Sequence, residues 1–329
     1  MERLKQLRFS ASVLLRTASI LLVVTITGYL LVLCSPNDPV ESYMAKGATA
    51  EQRAVIEKNW GLDRPFPVRY GIWLGNVLHG NFGQSIVYAQ PVGQILKKRA
   101  GATLLLLVLA WILSGVFGFA AGLTAGVYRG RLPDRIIKGI CFFFASLPPF
   151  WLGLLAVMLF AVKLKIFPLG FSSSAGAAGT AVSVGDRLYH AVLPSLTLGL
   201  VGIPKIAMHT REKISGVMHS EYMLFAYTRG ESRWTAVRRH GIRNCILPAL
   251  TLQFNSINEL FSGSVLAEQV FSYPGLGNAA TMAGLNGDAN LLLGVTVVSA
   301  LIVIAGNAAA NLLYGLLDPL VREAYKKNV

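Results

Sequence analysis

The side chains that could carry chemistry fall in two places. Between Phe225 and Pro248 the stretch FAYTRGESRWTAVRRHGIRNCILP places Arg229, Arg233, Arg238, Arg239 and Arg243 beside Glu231 and His240, in a chain that is 53% hydrophobic and only 14% charged. Shortly after it, Glu259 stands in an apolar run with Asn255 and Asn258, at spacings that put the three polar groups on one helix face. A carboxylate inside a membrane span is costly to bury and is a functional candidate for that reason; such a face lines either a solute pathway or a contact with a second membrane subunit. Glu268, near the end of the same run, is expected to reach water or a neighbour. No catalytic constellation accompanies these groups. His79, His190, His209, His219 and His240 are scattered without ligand spacing, so no metal ligand is assigned. Cys34, Cys141 and Cys245 lie too far apart to suggest a disulfide or zinc framework. The chain also has no G-x-x-x-x-G-K-[ST] phosphate loop.

The elements that must position these residues are membrane helices. A mean hydropathy of +0.54 over the whole chain, with apolar runs near bilayer length, places it in the membrane class. The runs are continuous rather than alternating, so the spans are helices and not barrel strands. About six are expected, over residues 12–33, 102–127, 136–162, 192–208, 246–270 and 291–317. Arg3, Lys5 and Arg8 precede the first, Arg129, Arg131, Arg135 and Lys138 join the second to the third, and Arg322, Lys326 and Lys327 close the chain. Basic residues beside short loops mark the cytoplasmic side, which puts residues 1–11 and 321–329 in the cytoplasm. Residues 34–101 form a long loop in which acids dilute the bases. It is expected outside as a small folded extracytoplasmic cap, with TAEQRAVIEKNWGL helical and YGIWLGNVLHGNFG supplying interfacial aromatics. Pro148 and Pro149 should kink the third span or delay its start. Gly306, Asn307, Asn311 and Gly315 suit close helix packing in the last. The net charge of +14 does not imply nucleic acid, because the basic residues cluster beside spans and no basic–aromatic binding module is present.

The arginine-rich stretch falls in a cytoplasmic loop, about residues 210–245, too long for a minimal turn. After Gly230, Trp234, Val237 and Gly241 recur at helical spacing with Arg233, Arg238 and Arg239 elsewhere, which describes a short amphipathic helix with one aromatic knob. Such a helix either lies on the anionic inner leaflet or docks into a soluble partner.

The stretch resembles the cytoplasmic coupling loop of bacterial ABC importer permeases, in the form found in the dipeptide, oligopeptide and nickel branch. Ala226, Gly230, Arg239, His240, Arg243, Asn244, Leu247 and Pro248 match that pattern. Leu224 and Phe225 depart from it, where glutamate and alanine are general, as do Gly241 and Ile242, where the branch has alanine and leucine. The likeness extends along the chain in SPNDPV, GLDRPFPVRYGIWL, GNFGQSI, RGRLPDR, SLPPFWLGLL, GSVLAEQVFSYPGLG and LLYGLLDPLVR. It implies the type I ABC importer permease fold, with a five-helix core over residues 102–320. It also implies a multi-pass protein of the bacterial inner membrane that performs no covalent chemistry and binds no cofactor. Its partners would be a second, similar permease, two ATPases holding ATP and magnesium, and an extracytoplasmic substrate-binding protein. Residues Gly230 to Ile242 would form the coupling helix, and the cargo would be a peptide, nickel or a metal chelate. An ion-coupled secondary carrier using Glu259 is the alternative; it lacks the inverted repeats and second deep acid that such carriers show.

Overall fold

The computed structural model describes residues 2–34, 49, 51, 64–168 and 183–317. These are helical almost throughout, with one isolated antiparallel bridge between Gln84 and Pro91. In chain order the helices are α1 (Glu2–Leu33), α2 (Phe66–Leu78), α3 (Val92–Val127), α4 (Leu132–Ser146), α5 (Pro149–Ala156, continued by a π-helical turn, Val157–Lys163) and α6 (Val184–Met218). Then follow α7 (Glu221–Thr228), α8 (Arg233–Ala236, continued by a π-helical turn, Val237–Gly241), α9 (Ile242–Asn255), α10 (Ile257–Val270), α11 (Leu276–Leu285) and α12 (Ala289–Leu317). Four helices among the described residues are long and apolar enough to cross a membrane, or five if the bent pair α4–α5 is one span.

Three of the expected spans take a different form. The third is kinked at Pro148 and Pro149 as expected, but so sharply that it divides into two helices: α4 and α5 meet at 102°. Leu147 and Pro148 are both extended there (ψ 136 and 134), because a residue that precedes proline is pushed out of the helical region. The fourth is far longer than residues 192–208, and its helix carries straight into the segment expected as loop. The fifth divides at Ser256 into two helices of 14 residues each, neither long enough alone to cross hydrocarbon. The second also begins early, at Val92, so the last ten residues assigned to the extracytoplasmic cap belong to α3. The segment expected as a helix before residue 64 lies outside the described residues, apart from Thr49 and Glu51.

The chain divides into two compact units. The first comprises the described residues of Met1–Thr103 with Pro274–Ile304. Its core joins Val92, Ile95 and Leu96 of α3 to Leu276, Ala279 and Ala283 of α11 and to Leu291 and Val295 of α12. Asp288, fully buried, accepts from the Leu291 amide at 3.1 Å at the head of α12 and from Ser85 Oγ (2.5 Å) and the Val87 amide (3.1 Å). One carboxylate therefore caps α12 and pins the segment before α3 to it. Two aromatics of YGIWLGNVLHGNFG, Tyr70 and Trp73, gather with Phe66 around Tyr29 of α1 at 5.8 Å each, and Thr25 Oγ1 lies 2.8 Å from the Tyr70 hydroxyl.

The second unit, Leu104–Tyr273 with the described part of Ala305–Asn328, is built on a very close approach of α3 and α6. Gly118, Gly122 and Gly126 form one ridge along α3. A Cβ at Gly122 would stand 2.5 Å from Ala207 O, and one at Gly126 would stand 2.6 Å from Arg211 O. Higher up, Gly199 of α6 faces Leu113 and Gly202 faces Ser114. Contacts advance together along both helices, so α3 and α6 run parallel, and the turn after α3 and the segment after α6 emerge at the same end. Between hydrocarbon-embedded helices there is no hydrophobic drive for association, so backbone approach through small residues supplies the packing.

Adding one methyl group at Gly126 should therefore separate the helices. Gly126→Ala is expected to destabilise the chain by about 1–3 kcal/mol, whereas Gly139→Ala, which meets nothing within 4 Å, should be neutral. Thermal unfolding of the two variants in detergent checks this.

Candidate functional site

At the end of the second unit where α3 and α6 emerge, α7 and α8 pack back onto them. Met223 and Ala226 of α7, Ala236 and Val237 of the α8 region, and Cys245 of α9 close over Leu123, Val127 and Ile214. The chain turns between α7 and α8 on Gly230, whose φ of +83 favours a residue without a Cβ. The Gly230 amide donates to Tyr227 O at 2.9 Å and the Glu231 amide to Ala226 O at 3.1 Å, the double bond of a Schellman helix end. Ser232 then caps α8, accepting from the Thr235 amide at 3.3 Å.

This arrangement corrects the face expected to dock. Val237 is fully buried, Gly241 packs on Ile214, and Ala226 is 3% exposed, so the apolar stripe found by periodicity faces the chain's own core. Trp234 is half turned to the same core: its indole nitrogen donates to the Tyr128 hydroxyl at 3.2 Å and its ring meets the Tyr128 ring edge-on. Nor is Gly230 to Ile242 a separate helix, because the π-helical turn runs without interruption into α9. What remains outward is Arg233, Arg238 and Arg243, with Arg239 bonded to Glu231 at 3.2 Å and His240 Nε2 at 3.7 Å from the same carboxylate. Beside them α7 exposes Leu224 (58%) and Phe225 (63%), the two positions at which the sequence departs from the general loop pattern. The outward surface is basic with an apolar centre.

A buried ion pair ties the head of α4 to α6, the helix on which this surface packs. Arg211 holds Asp134 in a two-pronged bond, Nε to Oδ1 at 2.5 Å and Nη2 to Oδ2 at 2.8 Å, with the side chains only 13% and 3% exposed. The Gly130 amide donates to Asp134 Oδ2 at 2.8 Å, which satisfies the second oxygen twice. Arg129 adds bonds to Ser215 (2.7 Å) and, at the surface, to Glu212 (3.3 Å); the exposed part of that contact adds little. Sequence reasoning treated Arg129 and Arg135 as topology markers and passed over Asp134, although an acid alone in the basic turn RGRLPDR was a visible signal.

The polar face expected on the fifth span is present despite the break at Ser256. Asn255, Asn258, Glu259, Ser262 and Leu266 are all exposed and follow one another at helical spacing. Asn258 Nδ2 donates to Asn307 Oδ1 at 3.2 Å, and Gly306 packs on Ile257; the side chain of Asn311 lies outside the described residues. Glu259 does not stand alone: Lys205 Nζ of α6 donates to its Oε1 at 2.5 Å. Lys205 was missed because no single segment shows that the two helices meet. Glu268, expected to reach water or a neighbour, is fully buried and meets a neighbour.

Breaking the Asp134 pair strands a buried guanidinium, so Asp134→Ala should cost about 3–5 kcal/mol, while Glu212→Ala should cost under about 1 kcal/mol. Thermal denaturation of the purified variants measures the difference.

Comparison with known proteins agrees with this architecture. Residues 118–323 match the family described as binding-protein-dependent transport system inner membrane component, and residues 6–106 match the N-terminal component of the same systems. The chain is 32% identical over 309 residues to the oligopeptide transport system permease protein AppB of Bacillus subtilis, covering 93% of this chain and 96% of that protein. It is also 32% identical over 302 residues to the glutathione transport system permease protein GsiC of Salmonella choleraesuis, covering 92% and 94%. With matches that together span nearly its whole length, the chain belongs to the binding-protein-dependent transport system inner membrane component family, as a non-catalytic, multi-pass permease subunit of the peptide and oligopeptide ABC importers.

Proposed function

We propose that this permease carries a small peptide across the inner membrane and is driven by ATPases that dock on the surface formed by α7, α8 and the start of α9. The observation that carries this reading is the outward basic surface, Arg233, Arg238, Arg239 and Arg243 around Leu224 and Phe225, seated on α3 and α6 by Met223, Ala226, Ala236 and Val237 against Leu123, Val127 and Ile214. Arginines pair with acidic residues at a groove rim, and an exposed apolar centre supplies the anchor. A surface fastened this firmly moves the spans with it when the ATPases close. Relatives named for oligopeptide and for glutathione transport favour peptide over nickel or a metal chelate as cargo.

The full assembly in this reading pairs the chain with a second similar permease, two ATPases that hold ATP and magnesium, and an extracytoplasmic binding protein that delivers the cargo. The chain crosses the membrane six times, with α4–α5 and α9–α10 each forming one broken span, both termini in the cytoplasm and the α2 segment outside. The parallel course of α3 and α6, after which residues 128–131 and 219–241 follow at the same end, supports this topology. Asn255, Asn258 and Glu259 face the pathway or the second permease. The ion-coupled carrier is less well supported, because the Lys205 ammonium already occupies the place that a coupling cation would take at Glu259.

Charge reversal tests the docking surface. Arg233→Glu with Arg238→Glu should reduce ATP-dependent peptide uptake by about 10-fold or more and release the ATPases on purification, while membrane insertion stays normal. Wild-type uptake with full ATPase retention would refute the assignment.

A further inference from the structure

Lys205 and Glu259 stand where charge is least expected. Lys205 lies six residues before Arg211 on α6, about 9 Å further along the helix from the buried Asp134–Arg211 pair, and so within the spanning part. Yet its side chain is 43% exposed and that of Glu259 is 63% exposed. Exposed charge at that depth cannot face acyl chains and must meet water or a polar group. The surroundings are polar on the same face: Asn255 and Ser262 are exposed along α9 and α10, and Asn258 is bonded to Asn307. An ammonium and a carboxylate on two neighbouring helices, with amides and a hydroxyl on the same face, can swing apart to receive the two charged ends of a molecule that carries one of each. Those ends lie about 10 Å apart in an extended tripeptide.

We propose that Lys205 and Glu259 form a transit subsite for the charged termini of a zwitterionic peptide, Lys205 taking the terminal carboxylate and Glu259 the terminal ammonium. This rests on the importer reading and adds the residues that touch cargo. In the empty state the two side chains neutralise each other. When a peptide arrives, one internal ion pair is exchanged for two pairs with the peptide, and the site stays neutral throughout. No unpaired charge is left in the membrane at any stage. Because the internal pair re-forms as the peptide leaves, binding is weak enough to permit exit, which a transport pathway requires. A peptide blocked at either end can complete only half of the exchange and leaves one protein charge without a partner.

The test uses the complete transporter in lipid nanodiscs without its binding protein, with trialanine as the probe and saturation-transfer NMR as a readout suited to weak binding. Wild type should give a trialanine signal that falls about five-fold or more in Lys205→Gln and in Glu259→Gln and is kept in Lys205→Arg. Acetyl-trialanine should be as poor a ligand of the wild type as trialanine is of Glu259→Gln. Absence of a wild-type signal, equal signals in wild type and both glutamine variants, or loss in Lys205→Arg as well would overturn the subsite. Dissociation of the second permease in the glutamine variants would overturn it too, by assigning the pair to the contact between permeases. The importer reading is judged separately, by ATP-driven uptake into proteoliposomes of the wild-type transporter with its binding protein.

Discussion

Helices α3 and α6 approach along Gly118, Gly122 and Gly126 so closely that their backbones touch. In a bilayer, where lipid tails satisfy apolar surface as well as protein does, this contact has to come from backbone packing, and only glycine leaves room for it. It also sets direction. The helices run parallel, so their far ends arrive together, and Asp134 at the head of α4 meets Arg211 on α6 within a shell that is almost wholly buried. A bidentate guanidinium–carboxylate pair has little geometric freedom, and the Gly130 amide removes what remains.

The functional surfaces depend on that frame. At one end Met223, Ala226, Ala236 and Val237 settle on Ile214 and its neighbours, which turns the arginines and the Leu224–Phe225 pair outward. Along the spans, the same α6 brings Lys205 to Glu259. The basic surface packs on Ile214 of α6 and Lys205 stands on the same helix, so α6 is shared by the two. The π-helical turn at Val237–Gly241 joins α8 to α9 without interruption, which links the stretch to Asn255, the first residue of the polar face, at the end of α9.

Much of this was legible in the sequence where the cause is local. Hydropathy finds the long helices, Gly230 announces a helix end because only glycine adopts its φ cheaply, and Asn255, Asn258 and Glu259 share a face by spacing alone. The misreadings arose where tertiary packing decides. The periodicity of Trp234, Val237 and Gly241 was real, but periodicity cannot say whether an apolar stripe faces a partner or the chain's own helices. Likewise the partners Asp134 with Arg211 and Lys205 with Glu259 are separated by 77 and 54 positions, and no property of either segment identifies the other. The glycine ridge is different: Gly118, Gly122 and Gly126 repeat every four residues in plain view, and this spacing was the missed signal for the α3–α6 contact.

If the basic surface and the spanning helices move as one body, distances within the chain stay fixed while the transporter opens and closes, and these can be measured. Spin labels at Arg243→Cys and Leu266→Cys, in a chain whose exposed Cys34 is replaced by serine and whose buried Cys141 and Cys245 are kept, would be compared by pulsed electron resonance in the assembled transporter with and without trapped ATP. A rigid permease half requires the distance within the chain to stay constant while the distance from its Leu266→Cys label to one in the second permease changes. A shift within the chain on ATP binding, with the helices stationary, would contradict it.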